Sequence, residues 1–259
     1  MKLEKVIIKN RKGQGIVVLL EIAPDQKGLA FVMHGLGGYK EQPHVEVFAK
    51  AFLDNNYSVI RFDTTNTFGE SDGNYEDATI SNYYEDLEDV IEWAKNQEWY
   101  QEPFCLAGHS LGGICISLYA QKYPENVKAL APISSVVSGK LSLETKDKEH
   151  FDEWKKTGYR IKESSSKPGL MKKLKWSHIS DRLKYDLIPE THKLTMPVLL
   201  IVGTKDASTP LKHQQILFKA IPGDNKEIHL IEGAPHTFKE VEHLKEIREI
   251  FDNWIKSFS

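Results

Sequence analysis

The sequence has little that would direct the protein to a membrane, to nucleic acid or to a secretory route. No apolar run approaches the roughly 20 residues that a membrane-spanning helix requires. The segment Met1–Lys5 and the short run after it lack the apolar stretch and the small-residue cleavage site of a signal peptide. The formal net charge is only −3, which provides no general attraction to nucleic acid or to an anionic surface. We therefore expect a cytoplasmic protein with no nucleic-acid partner and no stable membrane insertion.

Cysteine is also scarce, since the chain has only Cys105 and Cys115. The first lies in a predicted buried strand and the second in a predicted core helix. A buried thiol behaves as a small hydrophobic group, so we expect both cysteines to be free and reduced.

The chain has 259 residues, of which 40% are hydrophobic, so it can bury one sizeable core in a single domain. Apolar runs bounded by turn residues alternate with stretches of helical periodicity. This pattern predicts an α/β fold with a mostly parallel, doubly wound sheet of about eight strands. The first two runs, separated by residues 11–14, predict an antiparallel hairpin at the sheet edge. The predicted strands are Lys5–Ile8, Ile16–Ile22, Leu29–His34, Ser58–Asp63, Phe104–His109, Val127–Ile133, Val198–Gly203 and Glu227–Glu232.

Two long segments show the apolar spacing of amphipathic helices. Tyr83–Gln97 carries one apolar stripe, with Ser81 as the predicted N-cap. Val241–Phe258 repeats the design. We interpret both stripes as faces that pack on the core.

The strand pattern disappears between Val136 and Lys193, where charged residues, turn residues and scattered aromatics take over. A structureless loop of this length is improbable in a compact domain. The sequence therefore predicts a mainly helical cap at 136–193, inserted after strand six into a core formed by 1–135 and 194–259. Helices are expected at Phe151–Thr157 and Ser177–Tyr185. Inserted at the edge where ligands bind, the cap would roof the pocket with aromatic and apolar residues, the candidates being Phe151, Trp154, Tyr159, Leu170 and Trp176.

The predicted cap is basic. Residues Lys140–Lys175 hold 11 Lys and Arg against 6 Asp and Glu, a local net charge of +5, whereas the rest of the chain carries −8. Two interpretations stay open, a solvated helical surface or recognition of an anionic substrate or surface.

The segment 104–120 has the order of an apolar strand, the motif Gly108-His109-Ser110-Leu111-Gly112 and a helix. A Gly-x-Ser-x-Gly turn between strand and helix strains the serine backbone and needs small residues two positions before and after the serine. It projects the serine hydroxyl outward at a helix N-terminus, whose dipole favours developing negative charge. Ser110 is therefore the predicted nucleophile.

A serine hydroxyl is a weak nucleophile and needs a base that is itself oriented by a carboxylate. In this type of fold the chain order is serine, acid, histidine. Asp206 follows the predicted strand Val198–Gly203 and is the predicted acid. His236 lies in the loop after the last strand and is the predicted base. His213, His229 and His243 lie within helix or strand patterns and are interpreted as structural.

An oxyanion hole completes such a site. The backbone N–H groups of Leu111, which follows the nucleophile, and of Leu36, in the glycine-rich segment His34–Gly38, are the predicted donors. His34 is interpreted as bracing this loop. No histidine or cysteine spacing matches a zinc site, so we predict no metal and no other cofactor.

These motifs resemble the α/β-hydrolase superfamily over essentially the whole chain outside the insertion. The matching segments are His34–Gly37, Gly108–Gly112, Gly203–Asp206, Gly233–His236, and Arg61–Asp63 with Gly69–Gly73. Residues 64–68 depart from the pattern, because relatives often carry an Arg-Gly pair there. The cap is similar to those of lysophospholipase-like, monoacylglycerol-lipase-like and cinnamoyl or feruloyl esterase-like members. A serine nucleophile argues against the dehalogenases and epoxide hydrolases, which use aspartate, and against the dienelactone hydrolases, which use cysteine.

The resemblance implies a serine hydrolase that cleaves carboxylic esters through an acyl-enzyme, with a small-molecule ester as its partner. Two alternatives remain. The same residues could act on an amide or C–C bond, or the chain could be a silent binding member of the fold. A homodimer is left open.

Overall fold

A central sheet of eight strands forms the frame of the protein in the computed structural model, which describes residues 2–145, 147–163, 169 and 171–258. The strands are Lys2–Lys9 (β1), Gly15–Ile22 (β2), Gly28–Met33 (β3), Tyr57–Phe62 (β4), Phe104–His109 (β5), Val127–Ile133 (β6), Tyr159–Glu163 (β7), Met171–Lys175 (β8), Val198–Gly203 (β9) and Lys226–Ile231 (β10). The order in the large sheet is β1-β2-β4-β3-β5-β6-β9-β10, while β7 and β8 pair separately. All eight predicted strands of the large sheet are confirmed.

The sheet is antiparallel at one edge and parallel elsewhere. β1 pairs antiparallel with β2, and β2 pairs antiparallel with β4. Across the rest of the large sheet, in the order β4-β3-β5-β6-β9-β10, every neighbouring pair is parallel. The predicted edge hairpin is therefore confirmed, and the carboxyl ends of the parallel strands all meet at one rim of the sheet, where ligands bind in such folds.

Helices cover both faces of the sheet. They are Pro43–Asp54 (α1), Ile80–Ala94 (α2), Leu111–Lys122 (α3), Gly139–Leu143 (α4), Lys148–Thr157 (α5), Ser177–Arg182 (α6), Leu211–Ala220 (α7) and Val241–Phe258 (α8). α1 and α8 pack on one face, and α2, α3 and α7 on the other. Strand β5 shows the period of two, because Phe104 and Leu106 face one layer while Cys105 and Ala107 face the other. No helix of the described residues is long and apolar enough to cross a membrane.

Helix α2 begins earlier than its pattern predicts. Thr79, not Ser81, is its N-cap, and the Thr79 hydroxyl accepts the Asn82 N–H at 3.1 Å. The prediction of Ser81 is wrong because Ser81 lies inside the first turn. There its hydroxyl donates to Asp181 at 2.6 Å and fixes α2 to the insertion.

The segment between β6 and β9 contains helices and also a hairpin. The predicted helices are found as α5 and α6, the second ending three residues early. The mainly helical pattern gives no sign of the hairpin, in which β7 and β8 pair antiparallel. Their alternation is hidden because each has only five residues and most are charged. Trp154 of α5 anchors the hairpin, donating its Nε1–H to the Leu174 carbonyl at 3.0 Å.

Candidate active site

Ser110 lies at the tight turn between β5 and α3. Its φ of +55° and ψ of −109° put a non-glycine residue in a strained region of backbone space. The turn is possible because its neighbours are small, since a Cβ on Gly112 would lie 2.5 Å from the His34 carbonyl oxygen. The Ser110 N–H donates to the Ile133 carbonyl at 2.9 Å, which ties the turn to β6. The side chain faces a cavity.

His236 and Asp206 lie beside this serine in a line. The Ser110 Oγ is 2.9 Å from His236 Nε2, and His236 Nδ1 is 2.8 Å from Asp206 Oδ2. Since a carboxylate only accepts hydrogen bonds, Nδ1 carries the proton and donates to Asp206. Nε2 is then free to accept the hydroxyl proton of Ser110. The structure thus brings the three predicted residues together from three different loops.

Asp206 is held as an anion. Its Oδ1 accepts the N–H groups of Ser208 and Thr209 at 2.8 and 2.9 Å, and the Thr209 hydroxyl donates to its Oδ2 at 2.9 Å. Burial on its own would raise the pKa of Asp206, but the bonds from His236, Thr209 and Ser208 together hold that pKa below its usual range. The carboxylate therefore stays charged and fixed in position, as a group that orients a histidine must.

Two further histidines, His109 and His44, pack behind the site. The His109 Nε2–H donates to the His236 carbonyl at 2.8 Å, and the His109 ring lies 4.4 Å from that of His44. Burial lowers the pKa of His109, and His44 and His236 lower it further. Burial likewise lowers the pKa of His44 to about 3. Both rings are therefore neutral and shape the wall behind His236 without adding charge.

The loop after β3 passes directly beside the serine. A Cβ on Gly35 would lie 3.0 Å from the Ser110 Cβ, so any larger residue here would force the loop or the serine to shift. His34 braces the loop, donating from Nδ1 to the Gly35 carbonyl at 2.8 Å and accepting the Thr64 N–H at Nε2 at 3.1 Å. Within the part of the chain that the structure describes, the N–H groups of Leu36 and Leu111 have no acceptor. Neither N–H group is therefore already engaged, and their role in an oxyanion hole stays a prediction.

A buried ion pair fixes the same loop from behind. Asp63, at the end of β4, accepts the Lys40 Nζ and the Lys40 N–H, each at 2.8 Å. Both side chains are fully buried. Asp63 also accepts the Glu70 N–H at 2.8 Å. The Arg61–Asp63 and Gly69–Gly73 motifs therefore connect the loops after β3 and β4.

Residues 64–68, where the sequence departs from the superfamily pattern, form their own contacts. The Thr65 N–H and hydroxyl both donate to the Asp86 carboxylate at 2.7 Å. Phe68 stacks on Tyr75, with ring centroids 4.4 Å apart. These contacts connect this loop to α2 and to the floor of the cavity.

The cavity at Ser110 has a volume of about 670 Å³, and residues of the segment between β6 and β9 form part of its wall. Of the five predicted roof residues, Phe151 and Trp154 line it. Tyr159 and Trp176 do not belong to the described lining, and Trp176 instead packs edge-on against Trp154. Leu170 lies outside the described residues. The volume falls in the range of sites for small organic ligands.

The sheet is mostly parallel and is covered by helices on both faces. A serine at a strained strand-to-helix turn faces a histidine and an acid. Together these features define a serine hydrolase of the α/β-hydrolase superfamily. Residues 24–167, more than half of the chain, match the model of the family described as serine aminopeptidase, S33. The chain belongs to this family.

Relatives and solved structures agree with this assignment. The chain is 24% identical over 221 residues to the bovine (Bos taurus) mitochondrial palmitoyl-protein thioesterase ABHD10, covering 83% of this chain and 68% of that relative. The structure of Est1E from Butyrivibrio proteoclasticus with bound ferulic acid is similar, with a TM-score of 0.81, 21% identity and 98% of each chain covered. Mouse ABHD10 superposes with a TM-score of 0.81 at 20% identity, over 99% of this chain and 100% of that one. At these identities the structures show the fold alone. The cytoplasmic location stays a prediction, since ABHD10 is named as mitochondrial.

Proposed function

We propose that the protein hydrolyses carboxylic esters through an acyl-enzyme formed on Ser110. The observation that carries the proposal is the continuous line of hydrogen bonds from Ser110 to His236 to Asp206, of 2.9 and 2.8 Å. Each length lies within the reach required for proton transfer. In this proposal Ser110 is the nucleophile, His236 the general base and Asp206 the acid that orients the base.

In the first half of the reaction Ser110 Oγ attacks the ester carbonyl carbon while its proton passes to His236 Nε2. The carbonyl oxygen becomes an oxyanion that accepts hydrogen bonds from the N–H groups of Leu36 and Leu111. Each of these bonds is expected to lower the activation free energy by about 2.7–4 kcal/mol. Collapse of the intermediate expels the alcohol, which takes the proton from His236. A water molecule then repeats these steps on the acyl-serine, releasing the carboxylic acid and restoring both side chains.

Three other reactions could use the same residues. The family is described as serine aminopeptidase, and the relative ABHD10 is named as a palmitoyl-protein thioesterase. Amides and thioesters are therefore rival substrates. Cleavage of a C–C bond is the third rival reaction, and a binding protein without catalytic activity is the non-catalytic alternative. We propose oxygen esters as the substrates because they are the commonest substrates of enzymes with this arrangement of residues.

A fluorophosphonate probe tests the catalytic assignment directly. The intact protein should form one covalent adduct, located at Ser110 by mass spectrometry, and Ser110→Ala should form none. Ser117 is a matched control because it lies on the same helix and its buried hydroxyl donates to the Gly113 carbonyl. Ser117→Ala should label as the natural protein does. An adduct elsewhere, or no adduct, would refute the mechanism.

A substrate panel then separates the reactions. It comprises p-nitrophenyl esters, hydroxycinnamate methyl esters, monoacylglycerols, acyl thioesters and aminoacyl amides, compared by kcat/KM. We expect the highest values among the oxygen esters. Higher values for the amides or the thioesters would overturn the ester assignment while leaving the roles of Ser110, His236 and Asp206 in place.

We further propose that residues 136–193 act as a cap that selects substrates. Phe151 lines the cavity from this segment. Phe151→Ala should change the ranking of acyl chain lengths by 10-fold or more, about 1.4 kcal/mol of differential transition-state binding. Leu183 is a control, because it lies in the same segment, is exposed and does not line the cavity. If Phe151→Ala ranks substrates as Leu183→Ala does, the cap does not select them.

A further inference from the structure

Two arginines of the insertion line the cavity of Ser110 without a carboxylate partner. Arg160 lies on β7, and Arg182 is the last residue of α6. In the described part of the chain no salt bridge involves either residue. Five cationic side chains but a single carboxylate, that of Glu163, are among the described residues that line this cavity.

Arg182 is held by a neutral histidine. His178 Nδ1–H donates to the Ala78 carbonyl at 2.8 Å, so its Nε2 accepts from the Arg182 guanidinium, also at 2.8 Å. Among the described residues the buried Nε–H of Arg182 has no acceptor. Burial and the charge of Arg160 lower the pKa of Arg182 to about 10, so the guanidinium is still charged at neutral pH.

Arg160 is held by aromatic rings. Its guanidinium carbon lies 4.5 Å from the centroid of the Trp154 ring, within the range of a cation–π contact. Burial raises the pKa of Tyr75, and the positive charges of Arg160 and Arg182 both oppose that rise. The Tyr75 ring in turn lies against Gly37, because a Cβ there would be 2.6 Å from Tyr75 Cε2. The arginines are therefore connected through one ring to the loop beside Ser110.

Three carboxylates on neighbouring elements, those of Glu76, Asp77 and Asp181, have other partners. Glu76 and Asp77 pair with Lys175. Asp181 accepts the Ser81 N–H and hydroxyl and pairs with Lys184. An uncompensated charge that is partly buried is unfavourable. A planar guanidinium is suited to bind a carboxylate or phosphate through two parallel bonds.

We propose that Arg160 and Arg182 form a subsite for an oxyanion, a carboxylate or a phosphate, carried by the ester that Ser110 cleaves. This inference rests on the proposed function and adds the substrate class, an ester with a second, anionic group remote from the scissile bond. A cavity of about 670 Å³ has room for both ends of such a molecule. A neutral substrate would leave the two guanidinium groups unpaired, which is how a polar site discriminates against it.

The test compares substrates of equal length that differ in charge. They are p-nitrophenyl hydrogen suberate, its uncharged methyl ester, and a p-nitrophenyl acyl ester of the same length ending in a phosphate. The natural protein, Arg160→Gln, Arg182→Gln and Lys156→Gln are assayed. Lys156 is the matched control, since it is an exposed cation on α5 that does not line the cavity. Taking the ratio of kcat/KM for the anionic and neutral esters cancels any general effect of a substitution on the chemistry.

We expect each arginine variant to lower this ratio at least 10-fold, and Lys156→Gln to leave it unchanged. The carboxylate and phosphate esters then identify which oxyanion the subsite prefers. Equal ratios in the natural protein and in both arginine variants would overturn the subsite. If Arg182→Gln does not fold, as judged by circular dichroism, Arg160→Gln decides, because Arg160 lies on the β7–β8 hairpin, outside the large sheet.

A binding measurement separates this inference from the ester assignment. Calorimetry with methyl hydrogen suberate on Ser110→Ala requires no catalysis. Binding that is weakened at least 10-fold by Arg160→Gln supports the subsite even if the neutral ester is never cleaved. Cleavage of both esters without any such binding supports the proposed function and refutes the subsite.

Discussion

Replacing Asp206 with asparagine tests the proposed geometry at a single atom. Asparagine has nearly the same shape, and its Oδ1 can still accept the N–H groups of Ser208 and Thr209, which the carboxylate accepts at 2.8 and 2.9 Å. These two donors fix the orientation of the amide, so its NH₂ group must face His236 Nδ1. Nδ1 then has to accept instead of donate, and the imidazole proton moves to Nε2.

This change of tautomer should lower kcat strongly. Nε2 with a proton cannot accept another from Ser110, so the base is lost although every heavy atom stays in place. The same substitution in the serine-protease triad lowers kcat about 10⁴-fold. We expect a similar loss here, which corresponds to about 5.4 kcal/mol at 1.36 kcal/mol per factor of ten.

The assay is kcat for the best p-nitrophenyl ester at neutral pH, with thermal unfolding measured alongside. Asp224→Asn is the control, because it makes the same change at an exposed loop position. It should leave kcat unchanged. The reasoning is refuted if Asp206→Asn keeps a tenth or more of the natural kcat, since another acid would then have to orient His236.

Stability gives an independent check on Asp206. Its pKa is lowered on folding, so its charged form stabilises the native state above the unfolded pKa of about 3.9, and this contribution is lost as the pH falls through the lower, folded pKa. The free energy of unfolding of Asp206→Asn should therefore differ most from that of the natural protein at neutral pH. The difference should shrink below about pH 4. A difference that grows on acidification would contradict the assigned direction of the shift.

Three further predictions concern the site and the contacts around it. Ser110→Ala and His236→Ala should each lower kcat by several orders of magnitude, and the double variant should be little worse than either, because the residues act as a unit; additive losses would contradict this. Gly35→Ala should lower kcat about 100-fold, because its Cβ would lie 3.0 Å from the Ser110 Cβ and displace the loop that carries Leu36; natural activity would refute that placement. Lys40→Met leaves the buried carboxylate of Asp63 uncompensated and should lower the free energy of unfolding in urea by about 3–5 kcal/mol, and a change below 1 kcal/mol would show that Asp63 is paired otherwise.

The frame of the fold could be predicted from the sequence because its signals are local. Strands buried on both faces, such as β5 and β9, are continuous apolar runs. All eight strands of the large sheet lie where the sequence predicts them. Ser110, Asp206 and His236 could be located for the same reason, since each follows the end of a strand in a loop marked by glycine or proline. The parallel order of the strands then brings those loops to one rim of the sheet.

The insertion was harder to predict because its structure depends on distant contacts. β7 and β8 are charged on most positions and pair only with each other, so no apolar alternation marks them. Thr79 could not be distinguished from Ser81 as a cap, since both are good N-cap residues and only the contact of Ser81 with Asp181 decides between them. A local pattern cannot reveal a partner 100 residues away.

The basic composition of the insertion left two interpretations open, and the positions of its cations separate them. Lys173 and Lys175 lie at the surface and pair with Glu76, as expected of a solvated face. Arg160 and Arg182 come from the same charged stretch and its flank, yet both face the cavity and neither has a carboxylate partner among the described residues. Net charge does not distinguish these cases, because it counts paired and unpaired cations alike. The arginine pair is therefore the part of the cap that we propose to bind an anionic group of the substrate, and its position could not be predicted from the sequence, because it depends on how the insertion folds.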